Sequence, residues 1–380
     1  MYSERVQMVS VFGNNIGDKE IEYVTKCLKS RWLGMGKVVE EFEEKFAEHH
    51  NLENFLMIDN CSNGLYMAMK VLDLPPGSKV IVPSFTWVSC AQAVLLAGYQ
   101  PVFADVNIRT MNIDKASILE CLRKHRDAAA IMVVHYAGLP CEMDEILSFG
   151  LPVVEDAAHA VNSKYKGKYC GDIGDIGVFS FDAIKNLCAG DAGGICFKSK
   201  EHYERAKTLR YCGIGKGGFE AAMTENKRQR WWEYNIKEPF IRMLPTNLTA
   251  SIALAQLERL DELQEIRQEL WQEYQSEFYT VPWITTPADG YSHSYFTYCI
   301  RIPRRDSFAK ELLDLGVYTT LRYHPLHLNP LYKQTAEVLP NCELLNEDAL
   351  NIPLHPWLAT TEVLMIMDVI KKIGESHGLR

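Results

Sequence analysis

The segment VFSFDAIKNLCAGDAGGI, residues 178–195, places Lys185 between two apolar, strand-like runs. Glycines and other small residues follow the lysine and permit another group to approach the backbone closely. A lysine in this position can be a surface charge, a clamp for a phosphate or a covalent catalyst. The choice among these three roles depends on which other residues are predicted to lie near Lys185.

Apolar, β-rich runs alternate with helix-like segments over residues 56–197. Several runs are continuously apolar, as expected for strands that are covered on both faces. The segments between them, such as TWVSCAQAVLLAG and CEMDEILSFG, are predicted helices. This alternation predicts an α/β fold with a mostly parallel central sheet. The predicted strands are KVIVPS (79–84), PVFADV (101–106), AAIMVVHY (129–136), LPVVED (151–156), VFSF (178–181) and GGICF (193–197).

The chain of 380 residues is longer than one hydrophobic core usually serves. Residues 244–278 have a helical period, with Thr246 and Asn247 as the predicted capping residues. Beyond them, YFTYCIRI alternates like a strand, and SFAKELLDLG and TEVLMIMDVIKKIG are predicted helices. We therefore predict a large α/β domain over residues 1–258 and a smaller α+β C-terminal domain over residues 259–380.

Composition limits the class of protein. The net charge of −9 provides no basic field for a nucleic-acid backbone, and the basic segment KRQRWWEY, residues 227–234, is predicted to be a solvated loop. The 11 cysteines show no metal-ligand spacing, which predicts reduced thiols and no bound metal. The amino terminus lacks the features of a signal peptide, and no apolar run is long enough to span a bilayer. We expect a cytoplasmic protein that binds neither nucleic acid nor membrane.

Ligands of an open α/β sheet bind beyond the carboxyl ends of its strands. Asp156 ends the run VVED, and a carboxylate buried there needs a cationic partner or several donors. Pyridoxal phosphate supplies such a partner, because its ring nitrogen must stay protonated while a lysine binds its aldehyde. Asp156 and Lys185 together therefore suggest a pyridoxal-phosphate site. Taken alone, Asp156 can equally be the N-cap of a helix.

A pyridoxal-phosphate site also needs a place for the phosphate and a group that covers the ring. Ser62, Asn63 and Gly64 open a predicted helix, whose backbone N–H groups would face an anion. Many helices open in this way without a ligand. Trp87 can stack on a flat ring or belong to the core. The order of these features along the chain is more informative than any one of them.

The sequence resembles the DegT family of nucleotide-sugar aminotransferases. The resemblance covers nearly the whole chain and is carried by the segments SRWLGMGKVVEEFEEKFAEHH, PSFTWVSCAQAVLLAGYQPVFADV, VVHYAGLP, VVEDAAHAV, GDIGVFSFDAIKNL and LTASIALAQLERLDEL. It implies a pyridoxal-phosphate enzyme of the aspartate-aminotransferase fold, known as fold type I. The segments are most similar to those of enzymes that aminate carbon 4 of a keto sugar.

The resemblance also implies roles for individual residues. Lys185 would form the Schiff base, Asp156 would pair with the pyridine nitrogen and Trp87 would stack on the ring. His159 would lie by the phenolic oxygen of the cofactor. The implied phosphate ligands are Ser62, Asn63 and Ser180 of the same chain and Arg242 of a neighbouring subunit, so a homodimer is expected. Candidates for contacts with a substrate diphosphate are Lys216, Arg230 and Arg322, each of which is more simply a solvated surface charge.

The reaction implied by the resemblance is a transamination from an amino donor, glutamate, to carbon 4 of a nucleotide-linked keto sugar. Such a reaction belongs to amino-sugar biosynthesis for surface polysaccharides or glycosylated natural products. Amination at carbon 3 remains an alternative, and so does a sensor or regulatory protein that binds the cofactor without turnover. The related 3-dehydratases replace the lysine with histidine, which Lys185 argues against.

Overall fold

The computed structural model describes residues 8–215, 230, 232–335 and 338–379. Its strands are β1 (Phe55–Ile58), β2 (Lys79–Pro83), β3 (Gln100–Ala104), β4 (Ala128–Val134), β5 (Val153–Asp156), β6 (Lys164–Tyr165), β7 (Lys168–Tyr169), β8 (Ile176–Ser180), β9 (Gly193–Phe197), β10 (Tyr298–Arg301) and β11 (Ala349–Ile352).

The helices lie between and after these strands. They are α1 (Asp18–Ser30), α2 (Lys37–His50), α3 (Cys61–Leu72), α4 (Ser89–Leu96), α5 (Lys115–Lys124), α6 (Met143–Leu147), α7 (Lys200–Leu209), α8 (Asn247–Leu257), α9 (Leu260–Phe278), α10 (Arg305–Asp314), α11 (Pro340–Asp348) and α12 (Thr360–Ser376). Short 3₁₀ helices span Tyr136–Gly138, Leu326–Leu328 and Pro330–Thr335.

Within these residues, seven strands form the central sheet in the order β1-β9-β8-β5-β4-β2-β3. Strand β9 runs antiparallel to both of its neighbours, and the other adjacent strands are parallel. The predicted α/β fold with a mostly parallel sheet is confirmed. Because β8 and β9 are antiparallel neighbours, the segment between them, which carries Lys185, returns directly at the carboxyl end of β8.

Helices cover both faces of the sheet, which explains why its strands are largely apolar. Successive side chains of β8 point to opposite faces. Val178 packs on one face with Leu65 of α3 and Val94 of α4. Phe179 packs on the other face with Phe42 of α2 and with residues of α8. The carboxyl ends of the strands are thus held rigidly from two sides.

The C-terminal part has its own core. Strands β10 and β11 pair antiparallel, and α9, α10 and α12 pack against them. Val9 joins this core and pairs with Val317, so residues from the beginning of the chain belong to it too. The proposed division at residue 258 stays a prediction.

The segment 244–278 contains two helices, because the chain leaves the helical conformation at Arg259 between α8 and α9. Thr246 caps α8 by accepting a hydrogen bond from the N–H of Thr249, as predicted. The prediction for Asn247 is wrong, since this residue is already helical and its side chain accepts from Val39 N–H. No helix in the described segments is both long and apolar enough to cross a lipid bilayer.

Candidate active site

A cavity of about 400 Å³ lies at the carboxyl ends of β5 and β8. Its wall also includes the first turn of α3, the segment after β2 and residues 320–323 from the C-terminal part. Residues from distant parts of the sequence thus surround one space large enough for a small aromatic molecule and its substrate. The predicted site residues that line it are Ser62, Trp87, Asp156, His159, Ser180 and Lys185.

Lys185 is buried, with 9% of its surface exposed, so the reading as a surface charge is wrong. Its Nζ atom lies 4.8 Å from the centre of the Phe296 ring. Burial, assisted by the positive charge of Arg322, lowers the pKa of Lys185 to about 8. The neutral, nucleophilic form of the amine is therefore far more abundant near physiological pH than for an ordinary lysine, although it is still the minor form.

Asp156 is the last residue of β5 and is also buried. Its Oδ1 atom accepts a hydrogen bond from the backbone N–H of Ala158 at 2.9 Å, and its Oδ2 atom accepts one from the thiol of Cys90 at 3.1 Å. The residues after Asp156 form a turn, so the alternative of a helix N-cap is wrong. Each carboxylate oxygen can accept more than one hydrogen bond, which leaves Asp156 able to receive a further donor from the cavity.

His159 follows Asp156 through this turn and is buried as well. Its ring stacks on Phe296, with the ring centres 4.0 Å apart, and its Nε2 atom lies 3.1 Å from the hydroxyl of Tyr323. Burial and the nearby charges of Lys185 and Arg322 lower the pKa of His159 well below its usual value. The imidazole is therefore neutral, and its buried Nδ1 atom has no hydrogen-bond partner.

Trp87 is 53% exposed at the edge of the cavity, which excludes the core interpretation for this residue. Its ring centre lies 5.5 Å from that of Tyr323.

Ser62 lies in the first turn of α3, and its hydroxyl is 2.6 Å from that of Ser89 at the start of α4. Ser180, the last residue of β8, completes this polar end of the cavity.

Two predicted phosphate ligands lie outside the cavity wall. The backbone N–H of Asn63 donates a hydrogen bond to the side chain of Asn60. The side-chain amide of Asn63 donates one to the carboxylate of Asp59 at 2.8 Å. Arg242 is exposed. Of the diphosphate candidates, Arg230 is exposed beside Glu233, and Lys216 lies outside the described residues, as do residues 227–229 and 231 of the segment 227–234.

Sequence reasoning named Arg322 as a candidate for a substrate contact but preferred a surface charge, which is wrong because Arg322 is 5% exposed and lines the cavity. It missed Phe296, Cys90 and Ser89. Phe296 contacts three basic groups, those of Lys185, His159 and Arg322. Ser89 and Cys90 belong to the segment PSFTWVSC, which carries the family resemblance. That resemblance was the sequence feature that could have identified both residues as part of the site. Nothing in the sequence marked Phe296, because an aromatic residue in an apolar run is usually core.

A buried network supports the strand that carries Asp156. Glu155 accepts hydrogen bonds from His135 at 2.8 Å and from the backbone N–H groups of Gly171, Ile173 and Gly174. The Nδ1 atom of His135 accepts a hydrogen bond from the N–H of Cys141. The proton of the ring is therefore on Nε2, which donates the hydrogen bond to Glu155. These bonds fix the end of β5 and with it the direction of the Asp156 side chain.

A buried amine with a lowered pKa, facing the same cavity as a strand-end carboxylate, defines a class of enzyme that works through a lysine and a polar cofactor ring. The chain belongs to the DegT/DnrJ/EryC1/StrS aminotransferase family, whose model matches residues 14–371. The predictions of the family, the fold class and the transaminase class are thereby confirmed.

Individual relatives are similar along their whole length. A dTDP-4-dehydro-2,3,6-trideoxy-D-glucose 4-aminotransferase of Saccharopolyspora spinosa is 32% identical, over 97% of this chain and 98% of the relative. The crystal structure of the aminotransferase TlmJ of Streptoalloteichus hindustanus is 35% identical with a TM-score of 0.89, covering 96% of this chain and 98% of that one. The PLP form of the putative sugar aminotransferase Spr1654 of Streptococcus pneumoniae is 25% identical with a TM-score of 0.87, covering 96% and 98%.

Proposed function

We propose that the protein is a pyridoxal-phosphate-dependent aminotransferase that transfers an amino group from glutamate to carbon 4 of a nucleotide-linked keto sugar. One observation carries the proposal: Lys185 and Asp156 face the same cavity, and burial has lowered the pKa of the lysine to about 8. A covalent lysine must be neutral to react, and burial supplies that condition.

The residues of the cavity fit pyridoxal phosphate, which supports this prediction of the cofactor together with the PLP form of the similar protein Spr1654. Asp156 can accept a hydrogen bond from the protonated ring nitrogen. The unpartnered Nδ1 atom of His159 is available to a polar substituent of the ring, and Trp87 presents an exposed ring for stacking. When bound, the cofactor supplies an electron sink that makes a proton on the adjacent carbon acidic.

Three side chains would perform the chemistry. Nζ of Lys185 would hold the cofactor and, as a neutral amine, would accept and donate protons at the reacting carbon atoms. The negative charge of Asp156 would favour the protonated form of the ring nitrogen. His159 stays neutral, because its pKa is lowered by burial, and so holds the ring without adding a positive charge.

The polar end of the cavity would hold the phosphate. Ser62 and Ser180 offer hydroxyl groups there, and the first turn of α3 offers backbone N–H groups. Asn63 can contribute only if its amide leaves Asp59. Arg242 would reach the phosphate from a second copy of the chain, which makes a homodimer part of the proposal. The exposed rings and aliphatic side chains of Trp32, Leu33 and Ile241 support a subunit contact in this region.

The acceptor is proposed from similarity. The relative from Saccharopolyspora spinosa is named for a 4-amino transfer to a dTDP-linked sugar, which supports carbon 4 and a nucleotide-linked substrate. Amination at carbon 3 is the alternative, since both reactions need the same lysine and carboxylate. The difference between them is only in how the sugar is oriented over the cavity.

The first experiment measures the visible absorbance of the protein with bound cofactor. We expect a band that is lost on addition of glutamate, that is absent in Lys185→Ala and that is unchanged in the surface control Lys200→Ala. A wild-type protein without the band, even with added cofactor, would refute the proposed pyridoxal-phosphate-dependent aminotransferase function. A band that no amino acid alters would favour the sensor.

The second experiment supplies the holoenzyme with glutamate and a panel of nucleotide-linked 4-keto and 3-keto sugars. NMR of the product then gives the position of the new amine. A product aminated at carbon 4 is expected. Amination only at carbon 3 would overturn the proposed position and leave the aminotransferase class intact.

A further inference from the structure

Tyr323 and His159 form a hydrogen-bonded pair in the wall of the cavity. The hydroxyl of Tyr323 lies 3.1 Å from Nε2 of His159, and both residues line the cavity beside Lys185. Among the described residues, this nitrogen is the one hydrogen-bond partner of the Tyr323 hydroxyl. The other ring nitrogen of His159, Nδ1, is buried without a partner. The bond to Tyr323 is therefore the contact that can decide which nitrogen of His159 carries the proton.

Both rings of the pair are held by their neighbours. The His159 ring stacks on Phe296 with the ring centres 4.0 Å apart, and the backbone carbonyl of His159 accepts a hydrogen bond from the hydroxyl of Ser294. The centre of the Tyr323 ring lies 5.5 Å from that of Trp87. These contacts fix the orientation of the imidazole and of the phenol relative to each other.

The backbone around Tyr323 is anchored on both sides to segments that follow strands of the central sheet. The carbonyl of Arg322 accepts a hydrogen bond from the hydroxyl of Tyr136, which follows β4. The N–H of Leu326 donates to the carbonyl of Ser84, which follows β2, at 2.9 Å. The hydroxyl of Tyr323 therefore reaches the imidazole from a direction that the fold determines.

The protonation states of the two groups determine the direction of their hydrogen bond. Burial lowers the pKa of His159 well below its usual value, so the ring is neutral and has one N–H donor and one bare nitrogen. Burial raises the pKa of Tyr323 to about 12, so the hydroxyl keeps its proton. A bare imidazole nitrogen is a much stronger base than the oxygen of a phenol, and the stronger bond therefore runs from the hydroxyl to Nε2. This direction places the ring proton of His159 on Nδ1.

His135, another buried histidine, shows the same rule with the opposite result. Its Nδ1 atom accepts a hydrogen bond from the N–H of Cys141 at 3.0 Å, so its proton is on Nε2, which donates to Glu155 at 2.8 Å. The protein thus satisfies both nitrogens of His135. In His159 it satisfies only Nε2, and a buried N–H at Nδ1 needs an acceptor that the described residues do not supply.

We propose that Tyr323 is a positioning residue that fixes the proton of His159 on Nδ1 and so prepares a neutral N–H donor for the ring oxygen of the cofactor. The inference rests on the pyridoxal-phosphate function proposed above. A neutral donor holds this oxygen without placing another positive charge beside Lys185. Without the hydroxyl of Tyr323, the proton would return to Nε2, the position that free neutral histidine prefers, and Nδ1 would present a lone pair to the oxygen.

Nitrogen-15 NMR of the apoprotein with labelled histidine tests the first half of the inference. The signals of His159 are identified by their loss in His159→Gln. In the wild type at neutral pH we expect a protonated Nδ1 and a bare Nε2. In Tyr323→Phe the proton should move largely to Nε2. The control is Tyr279→Phe, the same change at a tyrosine that is 77% exposed, and it should leave the signals of His159 unchanged.

Binding of the cofactor tests the second half. Fluorescence titration gives the dissociation constants of pyridoxal phosphate and of 3-deoxypyridoxal phosphate, which lacks the ring oxygen. We expect Tyr323→Phe to weaken the binding of pyridoxal phosphate about 5-fold, as for the loss of one neutral hydrogen bond, and that of the deoxy analogue by less than about 2-fold. Tyr279→Phe should bind both ligands as the wild type does.

A wild-type apoprotein with the proton of His159 on Nε2 would overturn the inference, and so would an unchanged proton position in a folded Tyr323→Phe. Equal losses of affinity for the two ligands would show that Tyr323 acts by packing and not through the ring oxygen. The wild-type spectrum decides the direction of the bond even if the variant does not fold. A wild-type protein that binds no pyridoxal phosphate would refute the proposed cofactor, and with it the second half of the inference, whereas the proton position in the apoprotein is independent of that result.

Discussion

The thiol of Cys90 donates a hydrogen bond to Oδ2 of Asp156 across 3.1 Å in the interior of the protein. Burial, followed by the negative charge of Asp156, raises the pKa of Cys90 well above its usual value, so the thiol keeps its proton and remains a donor. Thr86 lies on the other side of the sulfur, at 3.3 Å. Cys90 therefore orients the carboxylate on which the proposed cofactor depends.

Replacement of Cys90 should weaken cofactor binding in a way that depends on the donor. Cys90→Ala removes the hydrogen bond, and we expect a loss of about 1 kcal/mol, roughly 5-fold in the dissociation constant of pyridoxal phosphate. Cys90→Ser keeps a donor and should bind nearly as well as wild type. Fluorescence titration of the apoprotein measures this, with buried Cys27→Ala as the control. Equal losses in the alanine and serine variants would show that only packing matters.

The reaction of the apoprotein with pyridoxal phosphate should depend on pH through Lys185. Its pKa is lowered by burial to about 8, so the neutral amine is scarce at pH 7 and predominant at pH 9. The rate of borohydride-trapped cofactor attachment should rise with a midpoint near pH 8. Arg322→Gln removes a positive charge and should move this midpoint upward, whereas Arg304→Gln should not. A wild-type midpoint above pH 10 would contradict the burial of the amine.

Glu155→Gln should destabilise the whole sheet. Burial alone would raise the pKa of Glu155, but the hydrogen bonds from His135, Gly174 and Gly171 outweigh it and lower the pKa. An amide in its place turns one acceptor into a donor that faces N–H groups, and we expect a loss of about 3 kcal/mol in the free energy of unfolding. Urea denaturation at pH 7 measures it, with exposed Glu44→Gln as the control.

The pH dependence of that stability has a definite sign. A carboxylate whose pKa is lowered by folding stabilises the native state above its unfolded pKa, and this contribution is lost as the pH falls through the folded value. Wild type and Glu155→Gln should therefore converge in stability as the solution becomes acidic. A difference between them that grows on acidification would contradict the network described for Glu155.

Gly193→Ala should disturb the polar end of the cavity, where the phosphate is proposed to bind. A Cβ atom at Gly193 would lie 2.7 Å from the backbone N of Cys61 and 2.8 Å from the carbonyl carbon of Asn60, so the first turn of α3 must move. We expect roughly 10-fold weaker binding of pyridoxal phosphate, in the range of overpacking penalties. Binding of pyridoxal, which lacks the phosphate, should change little.

The control for this variant is Gly34→Ala, where the added carbon meets only ordinary contacts at 3.9 Å or more. It should bind both ligands as wild type does. If Gly193→Ala weakens pyridoxal and its phosphate equally, the first turn of α3 does not hold the phosphate.

Local patterns made much of the fold predictable. Buried strands of a parallel sheet are apolar on both faces, so β2 and β4 stand out as short apolar runs and β5 as an apolar pair followed by two carboxylates. Their carboxyl ends meet at one edge of the sheet, which is why Asp156 and Lys185 could be assigned to one site from the sequence. Boundaries were less accurate, as the break at Arg259 shows, because no glycine or proline marks it.

The features of the site that the sequence did not predict depend on contacts that form only when the chain folds. Arg322 packs against Phe12 and Phe296, which are 284 residues apart in the chain. The orientation of Asn63 depends on competition within one turn, where Asn60 takes its N–H and Asp59 takes its amide. Sequence segments identify which residues meet at a site, but hydrogen-bond partners are set only once the whole chain has packed.

Phe296 touches His159, Lys185 and Arg322, which come from three separate segments. One hydrocarbon ring thus covers three nitrogen bases at once and helps to exclude water from them. A smaller residue at this position would let solvent screen all of them together, and their proton affinities would drift back toward those of free amino acids. Part of the acid–base tuning in this enzyme therefore comes from a side chain that never exchanges a proton.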